Sequence, residues 1–275
     1  MLSLDGQLLL AGAGKMGGAM LSGWLRRGLD PAQVVVLDPA PPVEMAQFIK
    51  EHRIASPLSA AGALTAAPAV IVVAVKPQAM DAVFPDLAKL AGPETLVLSI
   101  AAGKTLSSFE KHLSVGAAVV RAMPNTPAAI GRGITVCVAN GHVSPQQRAL
   151  ATSLVEAVGE VGWVDDEALI DAVTAVSGSG PAYVFLLAEA LAAAGVAQGL
   201  DPALSVRLAR ATVSGAGELL RQSSESASQL RQNVTSPGGT TAAALSVLMR
   251  EGDGVPDLMV EAIAAATKRG RELAG

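Results

Sequence analysis

Ser236-Pro237-Gly238-Gly239-Thr240-Thr241 runs straight into a helical pattern. Two glycines and two threonines at a helix start bring the N–H groups of Gly238, Gly239, Thr240 and Thr241 towards one point. The positive end of the helix dipole lies behind them. The hydroxyls of Ser236, Thr240 and Thr241 add further donors, so the loop suits a small carboxylate. The plainer reading is a capped turn, and a lone glycine pair would favour it. The unbroken run of six small residues weighs the other way.

A second cluster lies near the N-terminus, in Leu8-Leu9-Leu10-Ala11-Gly12-Ala13-Gly14-Lys15-Met16-Gly17-Gly18. Gly12, Gly14 and Gly17 fit G-x-G-x-x-G between an apolar run and a helical pattern. Gly12 would allow the tight turn, Gly14 the approach of a pyrophosphate, and Gly17 the close packing of helix on strand. Chance glycine spacings are common, but Asp38 follows the next apolar run, Val34-Val35-Val36-Leu37, where a ribose-binding acid belongs. Further polar residues sit at the ends of later apolar runs. Lys76 follows Ala74-Val75 and could reach a phosphate or ribose, or simply be solvated. Asn125 and Thr126, in Met123-Pro124-Asn125-Thr126-Pro127, could hold a nicotinamide amide or merely cap a rigid turn.

What is missing narrows the chemistry. His52, His112 and His142 are scattered, and no zinc set or other metal site is expected. There is no His/Asp pair to serve as a dehydrogenase base, and no lysine in the first turns after Ser177-Gly178-Ser179-Gly180. Cys137, the single cysteine, reads as a small buried hydrophobe in a strand rather than a nucleophile; it fits a reducing compartment. A hydride transfer needing little acid–base help fits this inventory. Reduction of an imine qualifies, because its nitrogen can already carry a proton near neutral pH.

The elements that must position these residues fall into two kinds. β-rich runs at Gln7–Ala11, Val34–Asp38, Val70–Val75, Leu96–Ile100, Ala117–Met123, Gly133–Val138 and Gly159–Val164 alternate with helical segments. That order predicts an α/β, mostly parallel, doubly wound sheet, with its ligand rim at the carboxyl ends of the strands. After Asp165-Asp166-Glu167 only helical patterns follow: Glu167–Val176, Gly180–Gln198, Pro202–Gln222, Ala227–Asn233, Thr240–Arg250 and Val255–Leu273. The expected division is a dinucleotide-binding domain over 1–164 and an all-α domain over 165–275. Tyr183–Ala197 is apolar almost all round, with Glu189 its only charge, which predicts burial in a subunit interface.

At 275 residues, 51% hydrophobic, 16% charged and of net charge −4, the chain has ample core and no basic footprint for nucleic acid. No signal peptide is read at the N-terminus. The apolar stretch from Ala60 to Val75 is too short and too broken by Gly62, Thr65 and Pro68 to span a bilayer. The expectation is a cytoplasmic protein without a membrane partner.

The residues together resemble pyrroline-5-carboxylate reductases, nearly end to end. The resemblance is carried by Gly12–Gly17, Ala74-Val75-Lys76-Pro77, Ser99–Gly103, Arg121–Pro127, Asp171–Thr174, Ser177–Tyr183 and Leu230–Thr241. It implies an N-terminal Rossmann-type domain and an all-α dimerisation domain. The activity implied is reduction of the C=N bond of a cyclic imino acid by NADPH or NADH. Cofactor contacts are implied from Gly12, Ala13, Gly14, Lys15, Met16, Gly17, Asp38, Ala74, Val75, Lys76, Pro77, Ala101, Met123, Asn125, Thr126 and Thr174. Substrate contacts are implied from Ser236, Gly238, Gly239, Thr240 and Thr241, with the Thr241 hydroxyl at the ring nitrogen as the catalytic group. The nicotinamide would lie between the Met123–Pro127 turn and the Ser177–Gly180 region. The family implies a homodimer that completes the site across subunits and assembles further to a decamer. It also favours NADPH, whereas Asp38 favours NADH by repelling a 2′-phosphate. Rival readings are another imine or keto-acid reductase of the same superfamily, or a non-catalytic NAD(P)-binding regulator. The intact Ser236–Thr241 loop speaks against the regulator.

Overall fold

A computed structural model describes residues 2–59 and 62–274. Ala60 and Ala61, which open the apolar run towards Val75, lie outside the described residues. The first elements are β1 (Leu8–Ala11), α1 (Lys15–Arg26), β2 (Val34–Leu37), α2 (Val43–Glu51), β3 (Val70–Val73) and α3 (Met80–Ala88). They are followed by β4 (Leu96–Ser99), α4 (Leu106–Glu110), β5 (Ala118–Met123), β6 (Gly133–Ala139), α5 (Pro145–Val155) and β7 (Gly159–Trp163). The strands form one sheet in the order β2-β1-β3-β4-β5-β6-β7.

β1 pairs in parallel with both β2 and β3, so the strand order reverses there. A reversal opens a crevice beyond the carboxyl ends, where doubly wound sheets take their ligands. β6 is antiparallel to β5. Only the short connection from Pro124 to Arg132 joins them, too short for a crossover helix. β7 is parallel to β6.

Alternation along the apolar strands builds two cores. Leu8, Leu10, Val34, Val36, Val70, Val72, Leu96 and Leu98 face one way, against Met20, Leu21 and Trp24 of α1 and Leu154 of α5. Leu9, Val35, Ile71, Val73 and Val97 face the other, against Met80, Phe84 and Leu87 of α3 and Phe109 of α4. Strands covered on both faces need no polar residue on either, which is why these read as continuous apolar runs. Trp24 also satisfies its indole N–H on the Leu154 carbonyl at 2.8 Å.

Beyond β7 come α6 (Ile170–Val173), a π-helical turn (Thr174–Gly178), α7 (Gly180–Ala197), α8 (Pro202–Gln222), α9 (Ala227–Asn233), α10 (Thr240–Leu248) and α11 (Val255–Ala274). Asp201 caps α8 through the Leu204 N–H, and Ser226 caps α9 through the Gln229 N–H. The chain separates into two compact units: Met1–Gly178 with Thr267–Gly275, and Ser179–Ala266.

Within the second unit, α7 and α8 cross closely. Ser205 donates its hydroxyl to the Ala192 carbonyl at 2.7 Å, and a Cβ on Gly195 would collide with that hydroxyl oxygen. Yet none of the 18 residues of α7 is buried, and Ser205 and Ala209 are the buried residues of α8. Phe185 and Leu186 are each 63% exposed. The run Glu167–Ala197 has the length and hydropathy of a membrane span. A helix this apolar and this exposed in a single chain needs a cover.

Candidate active site

The glycine loop takes the form that its spacing requires. Gly12 has φ +91° and donates its N–H to the Leu37 carbonyl at 2.8 Å, tying the loop to the end of β2. A Cβ on Gly12 would lie 2.6 Å from the Ala74 carbonyl oxygen. A Cβ on Gly17 would strike the Gly12 carbonyl oxygen. Gly14 differs: a Cβ there would meet nothing within 4 Å. Protein packing therefore does not require a glycine at 14, whereas a pyrophosphate resting on the backbone would. Gly14 is also the N-cap of α1 and brings no side chain to the first-turn N–H groups. Those donors fit the pyrophosphate of a dinucleotide.

Asp38 is held at both oxygens. Oδ2 accepts from the Ala13 N–H at 2.7 Å, and Oδ1 from the Ala40 N–H at 2.9 Å. The carboxylate is thereby fixed beside the glycine loop. Both line a cleft of about 860 Å³, whose other walls include Leu37, Pro39, Ala74, Val75 and Lys76. The cleft stands at the strand-order reversal between β1 and β3. Lys15 and Lys76 are exposed, and Met16 is half-buried. Pro77 opens a short 3₁₀ turn for which Lys76 is the cap residue.

Farther along the rim, Ala101 is buried and donates its N–H to Ser99 Oγ at 3.2 Å. Thr126 is exposed at the head of a 3₁₀ turn. Asn125 uses both ends of its amide inside the protein: Oδ1 accepts from the Ile134 N–H and Nδ2 donates to the Ser177 carbonyl. Thr174 turns its hydroxyl back onto the Ile170 carbonyl at 2.8 Å. These groups shape the rim before any ligand arrives. Cys137 is fully buried, and burial pushes its thiol up to about 12, the chemistry of an inert core residue.

Sequence reasoning missed the partner of Arg121. Arg121 is buried within β5, and its Nη1 donates to Glu167 Oε1 at 2.8 Å. The same oxygen accepts the Leu106 N–H at the start of α4, also at 2.8 Å. Glu167 thus joins β5, α4 and the segment leading to the π-helical turn. The hint in the sequence was an arginine inside an otherwise apolar strand.

The Ser236–Thr241 loop belongs to the second unit. Gly238 has φ +70°, and Gly239 caps α10 without a side chain. One expectation is corrected: the Gly239 N–H is not free for a ligand, because it donates to the Ser236 carbonyl at 3.0 Å and closes the turn. The hydroxyls of Ser236, Thr240 and Thr241 find no hydrogen-bond partner among the described residues. Thr241 is half-buried, while Ser236 and Thr240 are exposed.

Residues 167–273 match the family model for pyrroline-5-carboxylate reductase dimerisation. Residues 8–103 match that for NADP oxidoreductase, coenzyme F420-dependent. The chain is 42% identical to a pyrroline-5-carboxylate reductase of Pseudomonas aeruginosa, over 98% of this chain and 97% of that one. It is 48% identical to one of Synechocystis over 74% of each. A solved pyrroline-5-carboxylate reductase of Coxiella burnetii superposes with a TM-score of 0.90 at 36% identity, covering 99% of this chain and all of that one (100%). That of Plasmodium falciparum, solved with NADP bound, gives 0.80 at 27% identity over 98% and 99%. The exposed apolar helices of the second unit therefore belong to a dimerisation domain, and the chain is a homo-oligomer.

Proposed function

The chain belongs to the pyrroline-5-carboxylate reductase family, and from that premise we propose how its residues divide the NAD(P)H-dependent reduction of the C=N bond of 1-pyrroline-5-carboxylate to proline. The glycine loop and the cleft beside it hold the dinucleotide, with the pyrophosphate on Gly14 and the first turn of α1. Lys76, Pro77, Ala101, Met123 and Thr126 complete its surface along the rim. When bound, the cofactor supplies the hydride. The substrate carboxylate rests on the N–H groups of Gly238, Thr240 and Thr241 at the positive end of α10, with the Ser236 and Thr240 hydroxyls as further donors. The Thr241 oxygen accepts the N–H of the protonated imine and holds the C=N bond in one orientation. No general base is needed, because the nitrogen arrives with its proton and keeps it as the amine forms.

The observation that carries this reading is the loop itself: three uncommitted hydroxyls and an uncapped helix start within six residues. Thr241→Ala is expected to lower kcat on the order of tenfold or more, as loss of an oriented polar contact to the reacting group does. Steady-state assay with pyrroline-5-carboxylate checks it, and wild-type kinetics would remove Thr241 from the mechanism. Helices of the partner subunit complete each site in a homodimer, which assembles further to a decamer. A lone reduced thiol suits the cytoplasm, where we place the enzyme.

A second reading concerns which dinucleotide is used. The relative from Plasmodium falciparum is described with NADP, but here both Asp38 oxygens are fixed in the cleft. A carboxylate so placed accepts from a free ribose 2′-OH and repels a 2′-phosphate. We expect kcat/KM to favour NADH over NADPH by about tenfold, equivalent to ~1.4 kcal/mol. A preference for NADPH would sink this reading.

A further inference from the structure

Asn125 stands in the connection between β5 and β6. Its Oδ1 accepts the Ile134 N–H at 3.0 Å, and its Nδ2 donates to the Ser177 carbonyl at 3.1 Å. The primary amide offers an acceptor and a donor from one small, uncharged planar group. Ser177 lies in the π-helical turn Thr174–Gly178, the last element before the chain leaves the sheet-bearing unit. Turns of this kind, with their i→i+5 pattern, are rare and occur frequently at functional sites. Here Thr174 and Ser177 turn their hydroxyls onto the Ile170 and Val173 carbonyls at 2.8 and 2.9 Å. A second contact lies beside the first. A Cβ on Gly178 would come 2.8 Å from the Met123 terminal methyl, so Gly178 packs directly on the last residue of β5.

We propose that Asn125 is a positioning residue for hydride transfer. It clamps the Ser177 carbonyl, and with it the π-helical turn, against the carboxyl end of β5, so that Met123 and Thr126 present one fixed surface to the nicotinamide. The proposal rests on the reading that the cofactor lies along this rim. Asn125 acts through Met123 and the turn and need not touch the reacting atoms. A displacement of well under 1 Å at such a surface is enough to slow transfer, since misplacement by about 1 Å costs on the order of a hundredfold.

Asn125→Asp tests the Ser177 arm alone. The carboxylate still accepts the Ile134 N–H but turns a second acceptor towards the Ser177 carbonyl. In single-turnover mixing of enzyme, NAD(P)H and pyrroline-5-carboxylate, the rate constant is expected to fall about tenfold. The amplitude and the cofactor Kd should stay within twofold of wild type. A merely structural role would lower the amplitude, as less protein folds, and leave the rate constant alone; that result overturns the proposal. Gly178→Ala keeps both Asn125 bonds but displaces the Met123 methyl. It is expected to slow the same step severalfold, and if Asn125→Asp fails to fold, a wild-type rate constant in Gly178→Ala overturns the proposal. A wild-type enzyme that turns over no pyrroline-5-carboxylate would instead overturn the functional reading, and this proposal with it.

Discussion

Gly17→Ala is expected to weaken dinucleotide binding at least a hundredfold and to destabilise the sheet-bearing unit by ~1–3 kcal/mol, the range for overpacking a tight core site. The added Cβ lands on the Gly12 carbonyl oxygen and lies 3.1 Å from the Ala74 Cβ. Gly12 cannot retreat. Its N–H is bonded to Leu37, its φ is +91°, and the Ala74 carbonyl stands behind it. Relief must come from lifting the N-terminus of α1, whose Met20, Leu21 and Trp24 are fully buried. Lifting would carry the first-turn N–H groups away from the phosphates. Fluorescence titration with NADH and a urea midpoint measure the two effects. A Kd within threefold of wild type would show that the loop tolerates the overlap. Gly14→Ala separates the two roles: its Cβ enters open space, so stability should hold while cofactor affinity falls.

Glu167→Ala is expected to cost ~3 kcal/mol in urea unfolding, the scale for stripping one partner from a buried ion pair. The Arg121 side chain is 6% exposed and that of Glu167 27%, so the loss falls on the member that cannot reach water. The Leu106 N–H loses its acceptor in the same step. Glu167→Gln keeps an acceptor without the charge and should lose less. Arg121→Met combined with Glu167→Leu should recover much of the loss, because removing both charges removes the desolvation problem. A loss below ~1 kcal/mol in Glu167→Ala would equate this pair with an exposed one.

Much of the framework was legible residue by residue. The strand-like runs Val34–Asp38 and Leu96–Ile100 end within one residue of β2 and β4, because apolar residues stop where polar or turn-forming ones begin. Pro202–Gln222 and Ala227–Asn233 are read at their observed bounds, since Asp201 and Ser226 are local caps whose bonds span only three residues. The separate duties of Gly12 and Gly17 were legible too, as they depend on one strand–turn–helix unit. The Gly239 N–H was misjudged as a free donor. Whether a turn closes on its own carbonyl depends on backbone angles, and glycine leaves those open.

The sequence by itself made legible the apolar runs of the strands, the helices from α8 to α10, the glycine loop, the acid at the end of β2 and the hydroxyl-rich start of α10, because each shows in a pattern a few residues long. The helix read over Glu167–Val176, by contrast, is a 3₁₀ turn, the short α6 and the start of the π-helical turn. Only the tertiary structure decided that Arg121 meets Glu167 across 46 positions, that Asn125 holds Ser177 across 52, and that the chain widens into a π-helical turn there. These depend on which elements the sheet order brings side by side. A buried charge or amide takes whichever partner that packing supplies, and no periodicity along the chain records the choice.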